Sequence, residues 1–249
     1  MQIAVKGLIL AAGKGSRFIS DGNNLPKVLQ PVNGKPVIRY VISALDIAGV
    51  SDITIIVGYL SELVKKELGD KFSYVEQERL LGSGNAVRCA KSVLEEYDGV
   101  LVVMCGDSPM FTSETIKKLI TKHSESKAFI TLASARLEDP SGFGRIKRNS
   151  IGNILEVIEE KCASETDKSI NEINGGLYAF NNKWLFDNIK KLTKNAAGEY
   201  NLTQMVSIAI NECLKVESIE CNPNEVLGIN SVEQLKYIEK LLISESTNE

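Results

Sequence analysis

Residues 7–31 constrain this chain more than any other stretch. They read Gly-Leu-Ile-Leu-Ala-Ala-Gly-Lys-Gly-Ser-Arg-Phe, then a polar turn, then Leu25-Pro26-Lys27-Val28-Leu29. The run Leu8–Ala12 is apolar on consecutive residues, as a strand covered on both faces must be. Gly13 and Gly15 then let the backbone turn sharply and leave its N–H groups uncovered, which is how an anion nest is built. Arg17 and Lys27 bring two cations within reach of that nest. A strand that ends in such a loop belongs to an α/β protein, and its natural guest is a phosphate-rich ligand.

Two familiar phosphate loops do not fit. The dinucleotide fingerprint needs a third glycine where Phe18 stands, which removes a nicotinamide oxidoreductase from consideration. The Walker sequence needs Gly-Lys followed by Ser or Thr, and Gly13-Lys14 is followed by Gly15. A glycine loop alone could equally be a plain strand–turn–helix junction. Arg17 and the Pro26-Lys27 pair at this spacing favour the phosphate reading.

The rest of the chain narrows the class. At 249 residues and 43% hydrophobic it can bury a substantial core as one large domain or two lobes. A formal net charge of −3 provides no basic field for nucleic acid, and no basic stripe is interleaved with aromatics. No apolar run approaches membrane-spanning length, and the N-terminus lacks the pattern of a secretory signal. The 5 cysteines include no Cys-x-x-Cys pair, which suits reduced thiols in the cytoplasm. The one histidine, His123, lies in a lysine-rich helical segment and reads as solvated, so histidine-based triads and zinc sites are not expected.

Read in order, the first half alternates strands and helices. A helix from Pro36 to about Ile47 is followed by a strand at Ile53–Val57, a helix at Ser61–Leu68 and a strand at Phe72–Glu76. Ser83 is expected to cap a helix through Glu95, and Val100–Met104 reads as a third buried strand. This alternation predicts a Rossmann-like, doubly wound, mostly parallel sheet. Its ligand loops should gather at one edge, bringing the glycine loop, Leu81-Gly82-Ser83-Gly84 and Cys105-Gly106-Asp107 together. After a helix at Ser113–His123 the texture changes. Phe129–Ala135, residues 142–146, Ile154–Glu159 and Ile173–Phe180 form a run of strands that predicts a smaller β-rich lobe. Helices return at Lys183–Lys190 and Asn201–Cys213, a strand at Val216–Glu220, and a final helix at Val232–Ser244 before a polar tail expected to fray. The expected organisation is one domain over 1–249, with lobes at about 1–125 and 126–230, a cleft between them, and a C-terminal helix and tail from 231.

Several separated pieces resemble the sugar-phosphate nucleotidyltransferases. The likeness is most specific to the uridylyltransferase half of the bifunctional enzyme that makes UDP-N-acetylglucosamine. Besides Leu-x-Ala-Ala-Gly-x-Gly-x-Arg and Pro-Lys-Val-Leu, these pieces are Gln77 five residues before Gly82-Ser83-Gly84, Gly106-Asp107-Ser108-Pro109, and Asp139-Pro140-Ser141-Gly142-Phe143-Gly144-Arg145-Ile146. They continue with Ile158-Glu159-Glu160-Lys161, Glu172-Ile173-Asn174-x-Gly176, Gly198-Glu199-Tyr200-x-Leu202-Thr203 and Gly228-Ile229-Asn230. They occur in the family's order over roughly residues 7–235.

The resemblance implies joining of UTP to a sugar 1-phosphate, with pyrophosphate leaving, by Mg²⁺-assisted in-line attack. By that resemblance Gly13, Gly15 and Arg17 hold the β- and γ-phosphates, and Lys27 neutralises the α-phosphate and the incoming sugar phosphate. Arg17 and Lys27 are the catalytic cations, and Asp107 and Asn230 hold Mg²⁺. Leu10, Ala11, Ala12, Gly13, Gly15, Gln77, Gly82 and Ser83 form the nucleotide side. Gly106, Gly144, Glu159, Asn174, Tyr200 and Thr203 form the sugar side. Each has a plainer reading: Lys27 as a surface lysine, Asp107 as a turn residue, Asn230 as a helix start, Gln77, Glu159 and Asn174 as strand polars, and Tyr200 and Thr203 as helix caps.

The chain departs from the family pattern at four places. Cys105 stands where Tyr is usual, Asn85 where His is, Gln204 where Asp is, and Gly175 where Thr is. Losing a Tyr and a Thr near the sugar would alter the pocket, so the sugar is less constrained than the reaction. Another sugar phosphate, CTP in place of UTP, or a non-catalytic nucleotide-sugar sensor are the alternatives. The left-handed β-helix and acetyl transfer of the bifunctional enzyme are not expected of these residues, and an oligomer is possible but does not follow from the sequence.

Overall fold

The computed structural model describes residues 4–15 and 25–246. The polar turn, Arg17 and the last three residues of the expected tail therefore lie outside the described residues. The strands are β1 (Val5–Leu10), β2 (Pro31–Val32), β3 (Lys35–Pro36), β4 (Ile53–Val57), β5 (Ser73–Glu76), β6 (Val100–Cys105), β7 (Ile130–Arg136), β8 (Arg145–Arg148), β9 (Ile154–Ile158), β10 (Glu172–Asn181) and β11 (Val216–Glu220). The main helices are α1 (Val37–Ile47), α2 (Ser61–Leu68), α3 (Ser83–Cys89), α4 (Lys91–Leu94), α5 (Ser113–Ser126), α6 (Glu165–Lys168), α7 (Asn182–Asn188), α8 (Gln204–Asn211) and α9 (Val232–Ser246).

One sheet runs through the molecule in the order β11-β7-β10-β6-β1-β4-β5, with β8 paired to β10 and β9 paired to β8. Strands β5, β4, β1 and β6 are mutually parallel, and β10 enters antiparallel between β6 and β7. The sheet is mixed and mostly parallel, as expected. The second half adds no separate sheet: β7, β10 and β11 extend the first, and only the β8–β9 hairpin departs from it. The small β2–β3 hairpin closes on Asn33-Gly34, both with positive φ, the turn that Asn-Gly favours.

Strict alternation divides each inner strand between two cores. Ile9, Ile55, Val102 and Met104 face a layer that includes Ile38, Val41 and Leu45 of α1, Val64 of α2, and Ile116 and Leu119 of α5. Leu8, Ile56, Leu101 and Val103 face Ala86 and Val87 of α3, Trp184 and Leu185 of α7, and Met205 and Val206 of α8. Burial on both faces explains the unbroken apolar runs. A third cluster of Val32, Val37, Met110, Ile229 and Ile238 holds α9 against the body.

Some boundaries and environments differ from the sequence reading. Ser83 is the first residue of α3, not its cap; Gly82 precedes it with φ +93°, and Ala90 separates α3 from α4. Helix α8 begins at Gln204, three residues later than expected, because residues 200–202 bind other loops. The last helix continues to Ser246. The largest correction concerns His123, which is buried, with Nδ1 3.1 Å from Thr131 Oγ1. Burial pushes its pKa from 6.5 to about 4. The neighbouring lysines belong to the other face of α5, whereas Ile116, Leu119 and His123 fall on one stripe at helical spacing.

Candidate active site

The topology brings the strand-end loops together as expected. Strands β4 and β6 flank β1 on opposite sides, so the connections leave β1 in opposite directions and a crevice opens beyond its C-terminal end. Leu10 is in register with Ile56 on one side and Cys105 on the other, so the loops after these strands start at one level. Together with Gln77 and the 80–83 segment they enclose a cleft of about 310 Å³. Leu10, Ala11, Ala12, Gly13, Gln77, Gly82 and Ser83 line it, as do Lys27 and Asp107. Leu80, Cys105 and Glu199 also line it; sequence reasoning named Cys105 as a member of the converging loops and gave Leu80 and Glu199 no role. The Gly198-Glu199-Tyr200 motif carried a signal for Glu199.

The glycine loop has the properties of an anion nest. Among the described residues, the backbone N–H groups of Ala12, Gly13, Lys14 and Gly15 have no acceptor. Only Gly15 needs a left-handed backbone, at φ +60°, and a Cβ there would lie 2.7 Å from Lys27 Cβ. Gly13 has no such constraint, and a Cβ would meet nothing within 4 Å. The protein itself does not demand glycine at 13; what its absent side chain leaves open is the approach to the loop.

Lys27 is placed by its neighbours. Pro26 sets the entry to a single 3₁₀ turn, Lys27–Leu29, whose Val28 and Leu29 are buried in the core with Ile9 and Ala11. Lys27 is thereby held over the cleft. Its ammonium forms an ion pair with Asp107 and donates to Asn230 Oδ1 at 3.0 Å. Asp107 and Asn230 are brought together by the backbone, since the Ile229 N–H donates to the Asp107 carbonyl at 2.9 Å and Ile229 is fully buried. Asn230 does not cap the last helix with its side chain; Ser231 Oγ accepts from the Gln234 N–H. Two hard oxygens thus converge on one cationic point. That donor set fits Mg²⁺, which takes few protein ligands and completes its shell with water and phosphate. Among the described residues no group of three or more His, Cys, Asp or Glu could hold a metal.

Gln77 is buried, and its Nε2 donates to the Gly82 carbonyl at 3.2 Å while its amide pairs with that of Asn85 at 2.9 Å. It is therefore a fixed amide at the cleft wall and not a loose strand-end residue. Gly82 must be glycine, since its φ is +93° and a Cβ would lie 2.6 Å from the Tyr200 carbonyl. The segment 200–203 acts as a strap. The Gly84 N–H donates to the Tyr200 carbonyl and the Tyr200 N–H to the Leu81 carbonyl, both at 2.8 Å. Ser83 Oγ accepts from the Leu202 N–H at 3.0 Å, and Thr203 Oγ1 donates to Glu159 Oε1 at 2.6 Å. The strap ties the Leu81–Gly84 loop to the Glu159 carboxylate. The Tyr200 ring packs under the Arg88 guanidinium at 4.3 Å, so this structure gives that side chain a scaffold role.

Gly144, Glu159, Asn174 and Thr203, expected on the sugar side, do not line that cleft. Asn174 Nδ2 donates to the Tyr178 hydroxyl at 2.6 Å, and the Asn174 N–H donates to the Gly144 carbonyl at 2.8 Å. Burial, then the charge of Asp107, pushes the Cys105 thiol to about 12, with Glu159 adding to the shift. Cys105 is therefore a neutral, small wall residue. Gly106 packs tightly, a Cβ lying 3.1 Å from Val28 and 3.3 Å from Ala11. At Gly175 the space a side chain would take is already filled: a Cβ there would lie 2.9 Å from Val226 Cγ1 and 3.3 Å from Phe111 Cζ. The missing side chain is compensated in the core.

Residues 6–222 match the model of the family described as nucleotidyl transferase. The chain belongs to that family. It is 41% identical over 245 residues to the bifunctional protein GlmU of Exiguobacterium sp., covering 97% of this chain and 53% of that protein. It is 40% identical over 237 residues to the bifunctional protein GlmU of Clostridium novyi, covering 94% and 51%. The chain thus spans about half the length of the curated relatives it matches. A crystal structure of a Bacillus anthracis protein assigned as a glucose-1-phosphate thymidylyltransferase, in complex with a sucrose, superposes with a TM-score of 0.78 at 24% identity, over 96% of this chain and 95% of that one. That likeness shows the nucleotidyltransferase fold. All five cysteines are free, and among the described residues no helix is long and apolar enough to cross a membrane.

Proposed function

We propose that this nucleotidyltransferase joins UTP to N-acetylglucosamine 1-phosphate, forming a UDP-sugar and releasing pyrophosphate, in the cytoplasm. The observation that carries the reading is the meeting of Lys27, Asp107 and Asn230 beside an uncovered N–H loop at the sheet's switch point. The attacking sugar-phosphate oxygen is already anionic, so the reaction needs no general base. It needs suppression of repulsion between two anions and stabilisation of charge at the α-phosphorus. The loop N–H groups meet the triphosphate, and Arg17 adds a second cation. Lys27 leaves its carboxylate partner to neutralise the reacting phosphates. Mg²⁺, held by Asp107 and Asn230, supplies further charge neutralisation at the phosphates.

Base selection is assigned to Gln77 and the backbone of Ala12, Gly13 and Gly82. A pocket walled by a fixed amide and backbone groups suits a pyrimidine and crowds a purine. Glu159, Asn174 and the Gly144 backbone are assigned to the sugar hydroxyls, with Thr203 holding Glu159. Pyrophosphate release with Mg²⁺ over UTP, CTP, dTTP, ATP and GTP against several sugar 1-phosphates tests this directly. The expected result is turnover concentrated at UTP with N-acetylglucosamine 1-phosphate. Turnover at another pair keeps the reaction and replaces the substrate, and no turnover with retained UDP-sugar binding makes the protein a sensor.

A further inference from the structure

Arg145 is the one arginine among the largest fully buried side chains, at 1% exposure, and nothing above gives it a role. Its Nε has no hydrogen-bond partner among the described residues. Its carboxylate partner, Glu160, is one-third exposed and lies 2.7 Å from Nη1. A buried guanidinium with an unsatisfied N–H is a poor way to stabilise a fold, because desolvation offsets most of the attraction. The reason for keeping it lies in what it holds.

Arg145 Nη1 also donates to the Phe143 carbonyl. A trans peptide is planar, with its C=O and the following N–H pointing in opposite directions. Drawing the Phe143 carbonyl toward the guanidinium therefore turns the Gly144 N–H away from it. Among the described residues that N–H has no acceptor. The other side of the turn is fastened as well, since the Gly142 N–H donates to Glu160 Oε2 at 3.1 Å. Glu160 in turn immediately follows Glu159, whose carbonyl accepts from the Cys162 N–H at 2.8 Å. The hydrogen bond from Arg145 holds the Glu160 carboxyl below its ordinary range, so the pair stays charged at neutral pH.

We propose that the Arg145–Glu160 pair is a positioning device for the sugar half-site: it aims the Gly144 N–H and fixes the backbone that carries Glu159. This rests on the proposed function only in taking those two groups to meet the sugar. The nucleotide side is untouched by the pair, so its loss changes recognition of the sugar and not of the nucleotide.

The test compares the dissociation constants of UDP and UDP-N-acetylglucosamine by calorimetry, in wild type, Glu160→Gln, Arg145→Lys and Arg145→Met. Glu160 is partly exposed, so its variant keeps the fold if Arg145→Met does not. The wild-type ratio of the two constants measures the sugar's contribution. We expect Glu160→Gln to reduce that ratio about tenfold while UDP binding changes less than twofold. Arg145→Met should reduce it at least as far, and Arg145→Lys should restore part of it. The double variant should be no worse than the worse single one, since both remove one interaction. An unchanged ratio in Glu160→Gln overturns the inference, as does an equal weakening of UDP and UDP-sugar, which would mark a merely structural pair. A wild type that binds UDP-sugar no better than UDP overturns the sugar assignment itself, and so is distinguishable from either.

Discussion

The two proposed walls of the site, nucleotide and sugar, are built on different principles. On the nucleotide side the working surface is backbone: the Ala12–Gly15 N–H groups, the Gly82 turn, and glycines whose missing Cβ atoms make room for Lys27 and the Tyr200 carbonyl. On the sugar side it is held by side chains: Arg145 with Glu160, Thr203 with Glu159, and Asn174 with Tyr178. Backbone geometry recognises what all nucleoside triphosphates share, whereas side-chain networks can be rewired one residue at a time.

The comparison can be broken most severely at the point where the walls meet. Lys27→Ala should reduce turnover by about 10³-fold or more with the melting temperature held within a few degrees, because the side chain is anchored by its neighbours and anchors nothing in the core. Asp107→Ala should cost on the order of 10²-fold and weaken Mn²⁺ binding measured by electron paramagnetic resonance. Near wild-type rates from either variant would remove these residues from the site.

Acid should act through groups whose charge state folding shifts, His123 and Glu160 among them. His123, under β7, has a folded pKa of about 4 against 6.5. A depressed pKa contributes stability that is complete above 6.5 and lost as pH falls toward 4, by up to about 3 kcal/mol. Glu160, also depressed, acts in the same direction through the carboxylate range. Melting temperature against pH should fall more steeply below 6.5 in wild type than in His123→Gln; parallel curves would contradict the burial of this histidine.

Gly82→Ala should cost about 1–3 kcal/mol of stability and raise KM for the nucleotide more than for the sugar phosphate. The smallest effect is expected from Thr203→Val, which removes one hydrogen bond to Glu159. About 1–2 kcal/mol should appear as a raised KM for the sugar phosphate alone. If the nucleotide constant rose equally, the strap would be a shared support and the two walls one unit.

Much of this architecture was legible in the chain itself. Apolar runs at 8–12, 53–57 and 100–104 can only be strands covered on both faces, and their alternation with helical stripes dictates a wound sheet whose loops converge. The convergence of the glycine loop and Asp107 was legible for the same reason, because they follow the ends of β1 and β6. Tertiary structure alone decided the rest. That β7, β10 and β11 continue the first sheet depends on pairings between residues far apart in sequence. His123 looked solvated because its segment is rich in lysine, yet a helix buries by stripe and not by neighbourhood. Ser83 and Thr203 looked like caps because local spacing cannot reveal that their hydroxyls bind Leu202 and Glu159. Gly175 looked like a change in the pocket, and only packing shows Val226 and Phe111 against it. Periodicity and loop chemistry are local and can be read along a chain; burial, ion pairing and the filling of space depend on what the fold brings alongside.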